Sequence, residues 1–155
     1  MRIPARLVEL CKTFEGFHKE VRIAGLPMAA PYVCPAGYWT IGYGHLCGKN
    51  QTPITKAEAE TLLMIDLQTA VAATLRYCPA LGDEPEHRLA AIADFTFNLG
   101  AGRLQASTLR CRVNDRDWTG AGDQLLRWVY GGGRILPGLV LRRKAERELL
   151  LGERQ

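Results

Sequence analysis

No stretch of the chain approaches the roughly 20 consecutive apolar residues of a membrane-spanning helix. The N-terminus, MRIPARLVELCKTFEGF, lacks a continuous apolar core and a small-residue cleavage site. It reads as an amphipathic helix rather than a signal peptide, so the protein is expected to accumulate in the cytoplasm and to leave it only with help. Internal repeats and low-complexity linkers are also missing. Cysteine is present but unpaired in pattern: Cys11, Cys34, Cys47, Cys78 and Cys111 make an odd count with no CxxC. That spacing excludes the usual zinc sites, and neither a metal nor a cofactor is expected. A net charge of +4 favours a polyanionic partner, either nucleic acid or an anionic cell wall. No nucleic-acid-binding motif accompanies the charge, which leaves the wall.

What remains is ordinary globular material, 155 residues with 47% hydrophobic content, enough for one domain with a real core or a domain with a small lobe. Leu7, Val8, Leu10, Cys11 and Phe14 follow helical spacing, and Gly16 stops that helix directly after Glu15. Residues 17–53 then hold nine Gly or Pro residues. Such density breaks helices and suits turns with short antiparallel strands, Tyr38–Tyr43 among them. Thr55 with Glu58 three residues on is a capping box, opening a helix expected to reach about Arg76. Pro85 starts another, EHRLAAIADFTFNLG, closed by Gly100 and apolar on nearly every side, as a buried central helix would be. Ser107 and Asp117 cap shorter helices, and Pro137 starts the last. Within it LRRKAER, basic with interleaved glutamate, reads as a solvated face. Cys11 and Cys111 fall on apolar helical positions and read as buried thiols. Trp128 reads as core packing, and His18 and His87 as surface residues. Whether Cys34 and Cys47 pair is left open.

Glu15 ends a helix beside a glycine, at the edge of the strand-rich segment. A junction of lobes forms clefts, and a partly shielded carboxyl there can serve as a general acid. A carboxylate at a helix C-terminus also opposes the dipole, which suits a functional role better than a structural one.

Glu15-Gly16, followed by Tyr32-x-Cys34-x-x-Gly37-x-x-Thr40-Ile41-Gly42-Tyr43-Gly44-His45, resembles the signature of phage-type lysozymes, the endolysins of glycoside hydrolase family 24. The resemblance continues through Phe95-Thr96-Phe97-Asn98-Leu99-Gly100, Ser107-Thr108-Leu109, Arg127-Trp128-Val129-Tyr130, Leu136-Pro137-Gly138-Leu139 and Arg142-Arg143, covering nearly the whole chain in order. It implies an α+β, mostly α, two-lobed lysozyme-like fold in a single catalytic domain. The β-rich lobe would span about 16–54, the connecting helix about 55–76, and the helical lobe about 77–155 with the N-terminal helix. It implies a muramidase hydrolysing the β-1,4 bond between N-acetylmuramic acid and N-acetylglucosamine in peptidoglycan. The family's catalytic glutamate, aspartate-or-cysteine and threonine fall on Glu15, Cys34 and Thr40. Glu15 would be the acid, Thr40 would hold the attacking water, and Cys34 would take the second catalytic place. Leu46, Phe97 and Thr108 match positions lining the sugar cleft. Asp66 stands where the family has a carboxylate partnering the histidine, here His45.

Two departures from the family pattern stand out. The interval between Glu15 and Cys34 is lengthened by an insertion of about ten residues, roughly within residues 18–31, in the kind of loop where function is readily altered. It brings in Glu20 as a rival acid. The second departure is the thiol, which does not act as an aspartate simply by standing in its place. Two alternatives follow: a lytic transglycosylase using Glu15 alone, and a catalytically silent wall-binding domain. The expected partners are glycan strands and, for release into the periplasm, a holin-type protein; the enzyme itself is expected to be a monomer.

Overall fold

The computed structural model describes residues 1–153. The chain divides into two compact units, one of Val8–Asp66 and the other of Met1–Leu7 with the residues from Leu67 onward. Both boundaries fall inside helices, α1 (Ala5–Glu15) and α2 (Lys56–Tyr77). Most of the first helix is therefore grouped with the strands, whereas the sequence places it with the helical part.

The Val8–Asp66 unit carries two small antiparallel sheets. Strands β1 (Glu20–Ile23) and β2 (Leu26–Ala29) form a hairpin, and β6 (Ile54–Thr55) joins the base of β2. The residues read as an insertion, roughly 18–31, contain this hairpin. Its turn residues Ala24 and Gly25 both have positive φ, 50° and 77°, the backbone that matches strand twist in a two-residue loop. The second sheet is a meander of β3 (Tyr32–Val33), β4 (Trp39–Ile41) and β5 (His45–Leu46). Its strands are short because Gly and Pro interrupt the segment every few residues.

Helix α2 begins as its capping box dictates. Thr55 N–H donates to Glu58 Oε2 at 2.7 Å, and Glu58 N–H returns to Thr55 Oγ1 at 3.2 Å. Buried Ala59 and Leu63 give this unit part of its core, together with Cys11, Ala29, Ile41 and Tyr43.

The other unit is helical. A 3-10 helix (Pro79–Asp83) leads into α3 (Glu86–Leu99), α4 (Ala101–Gln105), α5 (Thr108–Asn114), α6 (Trp118–Leu125) and α7 (Pro137–Leu151). Every residue of α3 from Ala90 to Thr96 is buried, as its all-round apolar pattern requires. Ser107 and Asp117 cap α5 and α6 through side-chain oxygens, accepting from Arg110 N–H at 3.1 Å and Gly120 N–H at 2.9 Å. Trp128 packs edge-on against Phe95, ring centroids 5.3 Å apart, within this core.

A hairpin of β7 (Tyr130–Gly131) and β8 (Arg134–Ile135) breaks the helical run, turning through Gly132-Gly133. It is absent from the elements expected above, although a Gly-Gly pair is a hairpin signal. Cys11 is buried as expected, but Cys111 is exposed. It lies on α5, whose buried apolar positions are Leu109 and Val113. His87 is half-buried, and that burial holds its ring below the usual histidine range. No helix among the described residues is long and apolar enough to cross a membrane.

Candidate active site

Helix α1 ends where Gly16 adopts φ +67° and its N–H closes on Lys12 O at 3.1 Å. A left-handed residue is what a helix needs to stop abruptly, and glycine reaches it without a Cβ penalty. Glu15 is thereby held as the last helical residue. Phe17 leaves in the direction of Tyr43, their rings 5.8 Å apart, and the Lys12 ammonium sits 5.7 Å from the Tyr43 centroid. Lys12 also pairs with Glu60 at 2.7 Å, and this hydrogen bond keeps the Glu60 carboxyl below its ordinary range. Both side chains are well exposed, so the pair contributes little to stability.

Tyr43 is the centre of a three-residue turn, Gly42-Tyr43-Gly44, joining β4 to β5. Both glycines have positive φ, 61° and 86°. At Gly42 the space is as restrictive as the backbone, since a Cβ there would stand 2.8 Å from the Ala59 Cβ. A Cβ on Gly44 would stand 3.2 Å from Glu15 Oε2. The carboxylate that closes α1 therefore lies directly against the backbone of the β4–β5 turn.

Thr40 is on β4, in register with Tyr32 on one side and Leu46 on the other. It is buried, 3% exposed, and its hydroxyl donates to Tyr32 O at 3.3 Å. A hydroxyl that has given its proton to a carbonyl keeps lone pairs with which to accept one from water. Cys34 is a half-buried free thiol at the neighbouring bend. Its N–H donates to Tyr38 O and its carbonyl accepts from Gly37 N–H, each at 2.8 Å, around a Pro35-Ala36-Gly37 loop. Pro35 sets the turn and Gly37, at φ +88°, completes it. Cys47 is likewise a free thiol, and burial raises its pKa.

His45 Nδ1 lies 2.8 Å from Asp66 Oδ2, the pair that the family resemblance implies. Leu46 is 65% exposed at the end of β5. Glu20, the rival acid, is exposed at the start of β1. Glu15, Cys34, Thr40 and Leu46 thus belong to one unit. Phe97 and Thr108 belong to the other. There Phe97 is half-buried on α3 with the Arg142 guanidinium 6.0 Å from its ring, and Thr108 is the exposed first residue of α5.

The helical unit also holds charges that the sequence pattern assigns to solvent. Arg142, Arg143 and Glu146 are buried. Arg142 grips Asp94 with a two-pronged contact, Nε to Oδ2 at 2.8 Å and Nη2 to Oδ1 at 2.9 Å. Arg143 Nη2 donates to Asn98 Oδ1 at 2.9 Å and to Glu146 Oε1 at 2.6 Å. Burial pushes the Glu146 carboxyl well above its usual range and lowers the Arg143 guanidinium. The available signal was Asp94 and Asn98, polar residues one turn apart in the largely apolar stretch 89–99 of α3.

Comparison with known proteins shows the family. Residues 12–146 match the phage lysozyme family model. The SAR-endolysin of Enterobacteria phage PA-2 is 39% identical over 130 residues, covering 81% of this chain and 76% of its own. That of Bacteriophage PS34 is 41% identical over 128 residues, covering 81% and 75%. Among solved structures, the muramidase domain of SpmX from Asticcacaulis excentricus superposes with a TM-score of 0.79 at 29% identity, over 97% of each chain. A P22 lysozyme superposes with a TM-score of 0.75 at 26% identity, over 97% of this chain and 99% of its own. The chain belongs to the phage lysozyme family.

Proposed function

We propose that Glu15, Cys34 and Thr40 form the catalytic set of a muramidase that hydrolyses the β-1,4 bond between N-acetylmuramic acid and N-acetylglucosamine. Family membership makes the chain an endolysin-type lysozyme, a glycoside hydrolase acting on peptidoglycan, and favours hydrolysis over transglycosylation or silent binding. The observation that carries the residue assignment is the Glu15 carboxylate lying against Gly44, in the turn that follows the strand bearing Thr40.

Glycoside hydrolysis needs an acid for the leaving oxygen and a second group to manage the cationic centre or its water. Glu15 protonates the glycosidic oxygen. The Thr40 hydroxyl, committed as donor to Tyr32 O, accepts a hydrogen from the water and leaves the water's lone pairs free to attack. Cys34 acts as base or nucleophile in the remaining place. Leu46, Phe97 and Thr108 contact the sugars. The enzyme works as a monomer and reaches the periplasm through a membrane lesion made by a holin-type protein.

The test is lysis of outer-membrane-permeabilised cells by wild type beside Glu15→Gln, with mass spectrometry of the products. Loss of one general acid should lower the rate about 10²-fold or more. Reducing ends mark hydrolysis. Full activity in Glu15→Gln would refute the assignment, and anhydro-sugar products would refute hydrolysis.

A further inference from the structure

The Val8–Asp66 unit contains a cavity of about 400 Å³, of whose lining the proposed function uses only Leu46. It begins at Ile41, His45 and Leu46, on the paired strands β4 and β5, where Leu46 is the register partner of Thr40. From there it runs along residues 47–54 to the first turns of α2, at Glu58, Thr61 and Leu62. Its size falls within the range of small-ligand sites, roughly 300–1,000 Å³.

Its lining combines apolar surface, one carboxylate and the His45 ring, whose Nδ1 lies 2.8 Å from Asp66 Oδ2. Leu46, Ile54 and Leu62 supply apolar surface, and no lysine or arginine is present. Glu58 is the only carboxylate among the lining residues. It is also held in place, because Oε2 accepts from Thr55 N–H at 2.7 Å and from Thr55 Oγ1 at 3.1 Å. Oε1 remains available in a fixed direction. Gln51 donates through Nε2 to Thr52 O, which leaves its side-chain carbonyl free to accept. With the His45 ring partnered by Asp66, the Glu58 carboxylate sets the charge of the cavity, and a fixed carboxylate beside apolar surface selects a cation with an apolar body.

Peptidoglycan offers such a group beside its glycan. Its peptide stems carry alanine methyls and a diamino acid with a free primary amine, whereas the sugar rings carry no cation. We infer that this cavity receives the amine-bearing peptide stem of the substrate, with the ammonium on Glu58 and the methyl and methylene groups on Leu46, Ile54 and Leu62. The inference rests on the muramidase reading and adds the part of the substrate that flanks the scissile bond. It makes Glu58 a residue of specificity rather than of catalysis.

The test compares purified peptidoglycan with the same material after selective acetylation of its stem amines, scored by release of reducing ends. Acetylation should lower wild-type kcat/KM about tenfold, the low end of what a hydrogen bond to a charged group contributes. For Glu58→Gln the same acetylation should change kcat/KM less than about twofold. Glutamine can still cap α2 at this position, so the variant is expected to fold. Thr61→Trp, a substitution at an exposed helix position, should fill the cavity and raise KM on native peptidoglycan with kcat little changed. Equal loss on acetylation in wild type and Glu58→Gln, or no loss in wild type, overturns the inference while leaving the muramidase reading intact. Failure of wild type to release reducing ends from either substrate would overturn both.

Discussion

Three glycines of the meander share a left-handed backbone but differ in what surrounds them, so alanine at each should fail in a different way. Gly37 has φ +88°, and a Cβ added there would meet nothing within 4 Å. Alanine at this position suffers only backbone strain, about 1–2 kcal/mol. Gly42 has φ +61°, and its Cβ would approach the Ala59 Cβ to 2.8 Å in a buried setting. Overpacking adds about 1–3 kcal/mol, for a total of about 2–5 kcal/mol. For a chain of this size each kcal/mol lowers Tm by about 2–4 °C, so Gly42→Ala should melt well below Gly37→Ala. The close approach at Gly44 is to a carboxylate oxygen of Glu15, 3.2 Å away, and not to the backbone or Cβ of a packed helix. Gly44→Ala should therefore cost about as much stability as Gly37→Ala, about 1–2 kcal/mol, but displace the proposed acid and lower kcat about tenfold or more. Thermal melts and lysis rates on the three variants separate these cases. Adding Ala59→Gly to Gly42→Ala should return part of the steric cost, giving a favourable coupling in a double-mutant cycle. If Gly42→Ala and Gly37→Ala melt together, the turn is not seated on α2; if Gly44→Ala keeps the full rate, Glu15 is not poised against the turn.

Two further predictions concern single groups. Correctly folded Cys34→Ala should lose about 10²-fold or more in turnover on purified peptidoglycan, while Cys34→Asp keeps a substantial part; undiminished rate in Cys34→Ala would end the catalytic assignment of the thiol. For Glu146, a carboxyl raised by burial favours folding fully below its unfolded value of about 4.3, and that contribution is lost as pH climbs through the raised folded value. Glu146→Gln lacks this decline, so urea midpoints should show it gaining on wild type as pH rises from about 4 toward neutrality. Glu146→Ala removes an acceptor from the buried Arg143 guanidinium, which keeps its bond to Asn98, and should lose about 1.5–3 kcal/mol; a Gln variant as unstable as the Ala variant at every pH would refute a protonated Glu146.

Whatever depends on near neighbours is legible in the sequence. Thr55 with Glu58, Ser107, Asp117, Gly16 and Pro137 each act on backbone groups within a few residues, and each opens or closes its helix where the pattern says. The order and spacing of Cys34, Thr40 and His45 are also local, because one meander carries all three. The His45–Asp66 pair is reached through family resemblance, since a lone aspartate on a helix otherwise reads as solvated. The fate of the charges on α7, by contrast, is set by packing between distant segments. A basic stripe on a helix looks the same in sequence whether it faces water or a buried carboxylate. The partner that draws Arg142 inward is Asp94, 48 residues away on α3. Cys111 is the converse case, a residue on an apolar-looking position left exposed because Leu109 and Val113 take the buried side of α5. Burial is a property of what a helix packs against, and no periodicity within the helix encodes that.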